Sequence, residues 1–231
     1  MPSTDQTTLI DSLRGGLIVS CQAYPGEPMR TPDTMARVAL AAEAGGAVAL
    51  RCQGLADISA IRGQVSVPVI GLWKVGDSGV VITPTLRHAR ACHSAGADIV
   101  ALDATGRTRP DGRSFTEIAK AMHDQGAVVM ADCGSLADAD QAVEAGVALL
   151  STTLAGYSGD RPHTSGPDLE LLSEICAAHP GVPVVAEGRV RSPQEAAAAL
   201  DAGAWSVAVG TAITHPTSIT AGFRQALVSR S

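Results

Sequence analysis

Asp201-Ala202-Gly203-Ala204-Trp205-Ser206-Val207-Ala208-Val209-Gly210 passes from a helix end through a glycine into a short apolar run that stops on a second glycine. Gly203 suits the left-handed turn that ends a helix and aims the chain into a strand. The run Ser206 to Gly210 is too brief for a stable helix and reads as a strand. The same Ala-Gly step recurs at Glu43-Ala44-Gly45, Ser94-Ala95-Gly96 and Glu144-Ala145-Gly146. The spacing is roughly fifty residues, about two strand-helix units with their loops. In so alanine-rich a chain, coincidence is the competing explanation.

Working outward, seven more short β-branched runs are bounded by Gly, Pro or a charge: Leu17 to Ser20, Ala47 to Arg51, Pro68 to Leu72, Ile99 to Asp103, Val128 to Asp132, Ala148 to Thr152 and Pro183 to Glu187. Their nearly continuous hydrophobicity, without alternation, is what strands covered on both faces require, and it favours a parallel sheet. Helices fill the intervals. Thr31-Pro32 looks like a capped helix start, and Ser192-Pro193-Gln194-Glu195 has capping-box spacing. Eight alternating strands and helices predict an α/β fold, a (β/α)8 TIM barrel, as one domain over residues 1–231. An open doubly wound sheet is the alternative, but neither G-x-G-x-x-G nor a phosphate loop ending in Gly-Lys-Ser/Thr occurs.

Composition narrows the ligand. The chain is 45% apolar and 17% charged, with 23 acidic against 17 basic residues, net charge -6, and two each of Phe, Tyr and Trp. It lacks the basic field and the stacking platforms of a nucleic-acid binder, so a small ligand is expected. No apolar run is long enough to cross a bilayer. Met1 to Ile10 is polar and unlike a secretion signal, which predicts a cytoplasmic protein with no membrane partner. Five cysteines without a C-x-x-C pair argue against a disulfide framework and a cysteine zinc site.

In a barrel, the C-terminal ends of the strands converge on one face, where chemistry is expected. Those ends read Ser20-Cys21-Gln22, Arg51, Lys74, Asp103, Asp132, Thr152-Thr153, Glu187-Gly188-Arg189 and Gly210-Thr211. Any one charge here is most simply an ion pair. Five together place both signs at one mouth, where pKa values can be pushed apart for acid and base work. Glu187-Gly188-Arg189 and Gly210-Thr211-Ala212-Ile213 follow the seventh and eighth strands, the region where barrels commonly hold phosphate.

At these residues the sequence resembles the N-acetylmannosamine-6-phosphate 2-epimerases, (β/α)8 enzymes of bacterial amino-sugar and sialic-acid salvage. The resemblance is carried by Leu17-Ile-Val-Ser-Cys-Gln-Ala, Val67-Pro-Val-Ile-Gly-Leu-Trp-Lys, Ile99-Val-Ala-Leu-Asp-Ala-Thr, Val129-Met-Ala-Asp, Ser151-Thr-Thr-Leu-Ala-Gly-Tyr, Pro183-Val-Val-Ala-Glu-Gly-Arg and Val209-Gly-Thr-Ala-Ile-Thr. It implies an isomerase that interconverts N-acetylmannosamine 6-phosphate and N-acetylglucosamine 6-phosphate by moving the proton at carbon 2. It also implies a homodimer and no redox cofactor. Lys74 and Glu187 match the family's lysine and glutamate. The resemblance further implies that Gln22, Arg51 and Asp132, with Thr153, lie on the sugar side or hold the lysine. Gly188, Arg189, Gly210, Thr211 and His215 then lie at the phosphate end.

Two departures stand out. Val75-Gly76-Asp77-Ser78 follows Lys74 where the family usually has Arg-Asp, and His215 precedes Pro216 where it usually offers Arg. They motivate another phosphosugar isomerase or epimerase as the alternative activity. A phosphosugar-binding module without turnover is a third reading, which the retained Lys74 and Glu187 oppose. The remaining motifs are set aside. The histidines do not have metal-site spacing, Gly156-Tyr157-Ser158-Gly159 reads as a substrate-facing loop, and Cys133 as an inert thiol. Ile219, Phe223 and Leu227 repeat every four residues in a C-terminal helix, which is expected to cover its own barrel or else to meet a second subunit.

Overall fold

Eight parallel strands pair in chain order and close on themselves: β1 (Leu17–Cys21), β2 (Ala49–Gln53), β3 (Val69–Leu72), β4 (Ile99–Asp103), β5 (Val128–Asp132), β6 (Leu149–Ser151), β7 (Val184–Glu187) and β8 (Ser206–Val209). Each lies within two residues of its expected position. The structure is a computed structural model, and it describes residues 4–229. Met1 to Ser3, part of the segment compared with a secretion signal, and Arg230 and Ser231 lie outside the described residues. The helices are α1 (Thr4–Asp11), α2 (Pro32–Ala44), α3 (Leu55–Arg62), α4 (Leu86–Ser94), α5 (Phe115–His123), α6 (Leu136–Glu144), α7 (Leu169–Ala178), α8 (Pro193–Asp201), α9 (Thr211–Thr214) and α10 (Pro216–Val228). Among the described residues, no helix is long and apolar enough to cross a membrane.

Side chains alternate across a strand, so each strand divides its residues between two cores. Ile18, Ala49, Ile70, Ile99, Met130, Leu149, Val185 and Ala208 fill the barrel interior. Val19, Leu50, Val69, Val100, Val129, Leu150, Val184 and Val207 belong to the layer between strands and helices. Ile10 and Leu13, on and just after α1, join the interior core, and the Trp205 indole donates to the Ile10 carbonyl at 3.0 Å. One end of the barrel interior is therefore covered by apolar packing from α1, and the other is left for polar groups.

The expected caps form. The Thr31 hydroxyl accepts from the Thr34 amide, and Ser192 and Glu195 make a reciprocal capping box that starts α8. The repeat needs one correction. Gly96, Gly146 and Gly203 adopt φ of 104°, 77° and 105°, but in the first copy Gly45 is right-handed at -78° and its neighbour Gly46 takes the turn at 95°. Counted back from the strands, Gly46 is the true equivalent, because in all four copies the strand starts three residues after the left-handed glycine. The C-terminal helix also departs from the first expectation. No residue of α10 is buried, and Phe223 and Leu227 are each 72% exposed, so the helix does not cover its own barrel.

Gly46→Ala is expected to lower the unfolding free energy by about 1–2 kcal/mol, since a Cβ disfavours the left-handed turn. Gly45→Ala, in a right-handed conformation, should leave it within about 0.5 kcal/mol. Urea denaturation of the two variants separates the two roles.

Candidate active site

Continuing the inward register one step beyond the interior core brings Ser20, Arg51, Asp132, Ser151, Glu187 and Gly210 to the C-terminal mouth of the barrel, and two steps, past Leu72 and Ala101, bring Lys74 and Asp103. Arg51 lies at the centre of this layer, 1% exposed. Its guanidinium grips Asp132 through two contacts, Nη1 to Oδ1 at 3.0 Å and Nη2 to Oδ2 at 2.5 Å, and Nη1 also lies 2.8 Å from Glu187 Oε2. Asp132 Oδ1 accepts further bonds from the Ser151 and Thr153 hydroxyls at 2.8 and 3.0 Å. Thr152 Oγ1 accepts from the Glu187 amide at 3.0 Å and donates to the Glu187 carbonyl at 2.9 Å, which locks the end of β7 against β6.

Above this layer a cavity of about 290 Å³ is lined by Lys74 and Glu187 together with Gln22, Thr153, Gly188, Arg189, Gly210, Thr211 and His215. Residues separated by more than a hundred positions thus face one volume. Arg51 and Asp132, expected to contact the sugar or to hold the lysine, are not in its wall. They are buried beneath it, and Asp132 has both oxygens committed. Asp103 is also buried away from the cavity, bonded to the Thr105 hydroxyl at 2.6 Å and to Arg107 at 2.6 Å. It is the ordinary ion pair that the sequence could not tell from the others.

The third βα loop, Val75-Gly76-Asp77-Ser78 included, folds back on the end of β3. Lys74 bridges Ile82, the Val75 amide donates to the Val81 carbonyl at 3.0 Å, and the Thr83 amide donates to the Trp73 carbonyl at 2.8 Å. This hairpin holds the stem of Lys74 at the mouth. The side chain is exposed to the cavity, yet protein crowds its amine. Desolvation, and then the Arg51 cation, hold the amine below the usual lysine range, against the pull of Glu187 and Asp132. The lowering effects win because desolvation is the largest of them and Arg51 offsets the carboxyls. Glu187 moves the other way. Burial pushes its carboxyl above the usual range and Asp132 adds to this, while Arg51, Thr153 and Lys74 oppose it.

The phosphate end is only partly as expected. Gly188 adopts φ 107°, a conformation that favours glycine, and a Cβ on Gly210 would stand 3.2 Å from Ser20 Cβ, a tight contact. Arg189 reaches the cavity, but its guanidinium donates to the Gly166 and Ala155 carbonyls and the Thr164 hydroxyl at 3.0, 2.8 and 2.9 Å. These bonds pin the loop between β6 and α7 rather than leaving the side chain free for an anion. His215 Nδ1 pairs with Ser218 Oγ at 2.6 Å, and Nε2 faces Glu27 Oε1 at 3.4 Å, so a carboxylate already stands where a phosphate contact was expected. Gln22 donates to Ser20 Oγ at 2.8 Å, while its buried Oε1 has no hydrogen-bond partner among the described residues. Cys133 is fully buried, its thiol pushed well up by desolvation. Among the described residues, no three His, Cys, Asp or Glu side chains gather as metal ligands.

A larger cavity, about 870 Å³, opens at the other end of the barrel beside α1 and the starts of β5 to β7. Strand starts in this fold serve stability, and the His179 imidazole there is already paired with Asp140 at 2.7 Å. The smaller cavity holds the chemistry.

Residues 35–229 match the family model for N-acetylmannosamine-6-phosphate epimerases. The chain belongs to this epimerase family. A relative from Cutibacterium acnes, named as an N-acetylmannosamine-6-phosphate 2-epimerase, is 59% identical over 221 residues, covering 95% of this chain and 96% of its own. A relative of the same name from Caldanaerobacter subterraneus is 46% identical, covering 94% and 93%. The solved structure of the N-acetylmannosamine-6-phosphate 2-epimerase from Clostridium perfringens superposes with a TM-score of 0.90 at 39% identity, covering 94% of this chain and 95% of that one. A thiamine phosphate pyrophosphorylase from Pyrococcus furiosus, TM-score 0.60 at 18% identity, shares the fold alone.

Two residues of the epimerase mouth escaped the sequence reading. Ser151 follows the inward Leu149 by two, the same register that places Asp132, Glu187 and the strand-end Ser20. Tyr24, at the cavity rim, had a simpler signal, as one of two tyrosines in the chain, the other being Tyr157 in the loop expected to face the substrate. Replacing Arg51 by Met should strand two buried carboxyls and lower the unfolding free energy by about 3–5 kcal/mol. A urea-denaturation loss below about 1 kcal/mol would show that the ion-pair cluster does not hold the mouth together.

Proposed function

We propose that this chain interconverts N-acetylmannosamine 6-phosphate and N-acetylglucosamine 6-phosphate by removing the proton at carbon 2 and returning it to the opposite face. The observation that carries this reading is the shared cavity. In a member of this family, an amine with a lowered pKa and a carboxyl with a raised one face the same 290 Å³ space. Both shifts favour the uncharged forms, which are the working forms of a base and an acid.

In the open-chain aldose, Lys74 Nζ takes the carbon 2 proton. The electron pair moves toward the aldehyde oxygen, where protonated Glu187 donates a hydrogen bond to the developing enolate oxygen on carbon 1. Reprotonation from the other face completes the inversion. Arg51 acts from below by holding Glu187 in place and keeping the amine from gaining a proton too readily. Gln22 and Thr153 contact the sugar, Gln22 through its unpartnered Oε1. Gly188, Arg189, Gly210 and Thr211 shape the phosphate end.

His215 favours a second reading. With Nε2 turned to Glu27, the phosphate grip is weaker than an arginine would make it, which suits another phosphosugar as preferred substrate. A panel of phosphorylated sugars ranked by kcat/KM separates the two. We place the reaction in the cytoplasm, in keeping with five free cysteines, four of them buried. We further propose a homodimer, supported by the apolar face that α10 exposes through Phe223 and Leu227.

In deuterated water, N-acetylmannosamine 6-phosphate is expected to yield the gluco epimer with deuterium at carbon 2, followed by proton NMR. Lys74→Ala should lower kcat/KM at least about a hundred-fold with an unchanged unfolding midpoint. Absence of both epimer and exchange in the wild type rejects the reading. By light scattering the protein should have the mass of a dimer, and the Phe223→Asp, Leu227→Asp double variant that of a monomer. Equal masses would remove α10 from the interface.

A further inference from the structure

The two tyrosines of the chain stand in the same relation to the cavity. Each is 56% exposed, each covers a cation with its ring face, and each meets a histidine edge-on. Tyr157 lies over Arg189 at 5.2 Å and against His163 at 5.0 Å. Tyr24 lies over the Lys74 amine at 5.7 Å and against His215 at 5.3 Å. The difference is in the cations. Arg189 is held by three hydrogen bonds of its own, whereas the Lys74 amine makes no hydrogen bond or ion pair to any other described residue. The face of Tyr24 is the contact that fixes the free end of Lys74.

We propose that Tyr24 is a positioning residue for Lys74, holding the amine over the cavity and stabilising the ammonium that proton abstraction leaves behind. An aromatic face within about 6 Å attracts a cation and gains nothing comparable from a neutral amine, so the ring acts on one protonation state. His215 sets the ring's tilt from behind, itself fixed by Ser218 and Glu27. The other charged groups facing the amine are Arg51 from β2, Asp132 from β5 and Glu187 from β7. Arg51 disfavours the ammonium and the two carboxyls favour it, and Tyr24 adds to the carboxyls without carrying a charge that would compete for the substrate. The role in turnover rests on the epimerase reading, but the contact itself does not.

The chain has two lysines, Lys74 and Lys120, the second exposed on α5, so protein labelled with carbon-13 at lysine Cε gives two resonances and an internal control. Titrated by NMR without substrate, Tyr24→Leu should lower the Lys74 midpoint by roughly 0.4–0.7 pH unit. Leucine keeps apolar bulk beside the amine and removes only the π face. Tyr24→Phe, which keeps the ring, should titrate as wild type, and Lys120 should move in neither variant. The acid limb of kcat/KM should follow the Lys74 midpoint. An unchanged or raised midpoint in Tyr24→Leu, or an equal shift in Tyr24→Phe, overturns the proposal. A wild type that titrates as expected but does not epimerise refutes the epimerase reading alone.

Discussion

A guanidinium buried under the barrel mouth cannot stay charged unless it is paired, and that constraint organises everything polar around it. Arg51 is neutralised mainly by Asp132, whose remaining acceptor capacity is taken by Ser151 and Thr153. Glu187 is held less completely. Its Oε2 lies at ion-pair distance from Arg51, but the alignment is too poor for a hydrogen bond. The attraction is therefore Coulombic, and desolvation outweighs it. The member of the cluster that the cation satisfies least is the one left able to hold a proton at the cavity wall.

The same cation works on the other side of the mouth. Arg51 lowers the pKa of Lys74 and also opposes the rise at Glu187, so the opposite shifts of amine and acid come from burial, which disfavours the charged form of each. Barrel geometry makes this possible. Strand alternation carries one side chain per strand to the top inner layer, and pairing in chain order brings Ser20 beside Arg51 and Asp132 between Asp103 and Ser151. Two adjacent buried carboxylates, Asp103 and Asp132, are tolerable because each has its own arginine, Arg107 and Arg51.

Polar residues at the mouth divide into those spent on structure and those left for a ligand. Asp103, the guanidinium of Arg189 and Nδ1 of His215 have protein partners, whereas the buried His215 Nε2 has no hydrogen-bond partner among the described residues. Lys74, the Gln22 carbonyl and one Glu187 oxygen lack hydrogen-bond partners and border the cavity. In sequence these residues look alike, each a polar group after an apolar run. What separates them is whether a loop far away in the chain happens to present a carbonyl, a hydroxyl or a counter-charge.

Local signals were enough for the frame of this protein. Apolar runs, capping residues and left-handed glycines act over a few residues, so the eight strands, the starts of α2 and α8 and the helix stops were all legible, down to a one-residue slip between Gly45 and Gly46. The family resemblance pointed to Lys74 and Glu187, and barrel closure by hydrogen bonds between distant strands brought them to one cavity. Tertiary structure alone decided that Arg51 and Asp132, 81 residues apart, lie under the cavity rather than in it, and that α10 leaves its apolar face open. Ion pairing and burial depend on distances across the barrel, and a linear chain records only distances along itself.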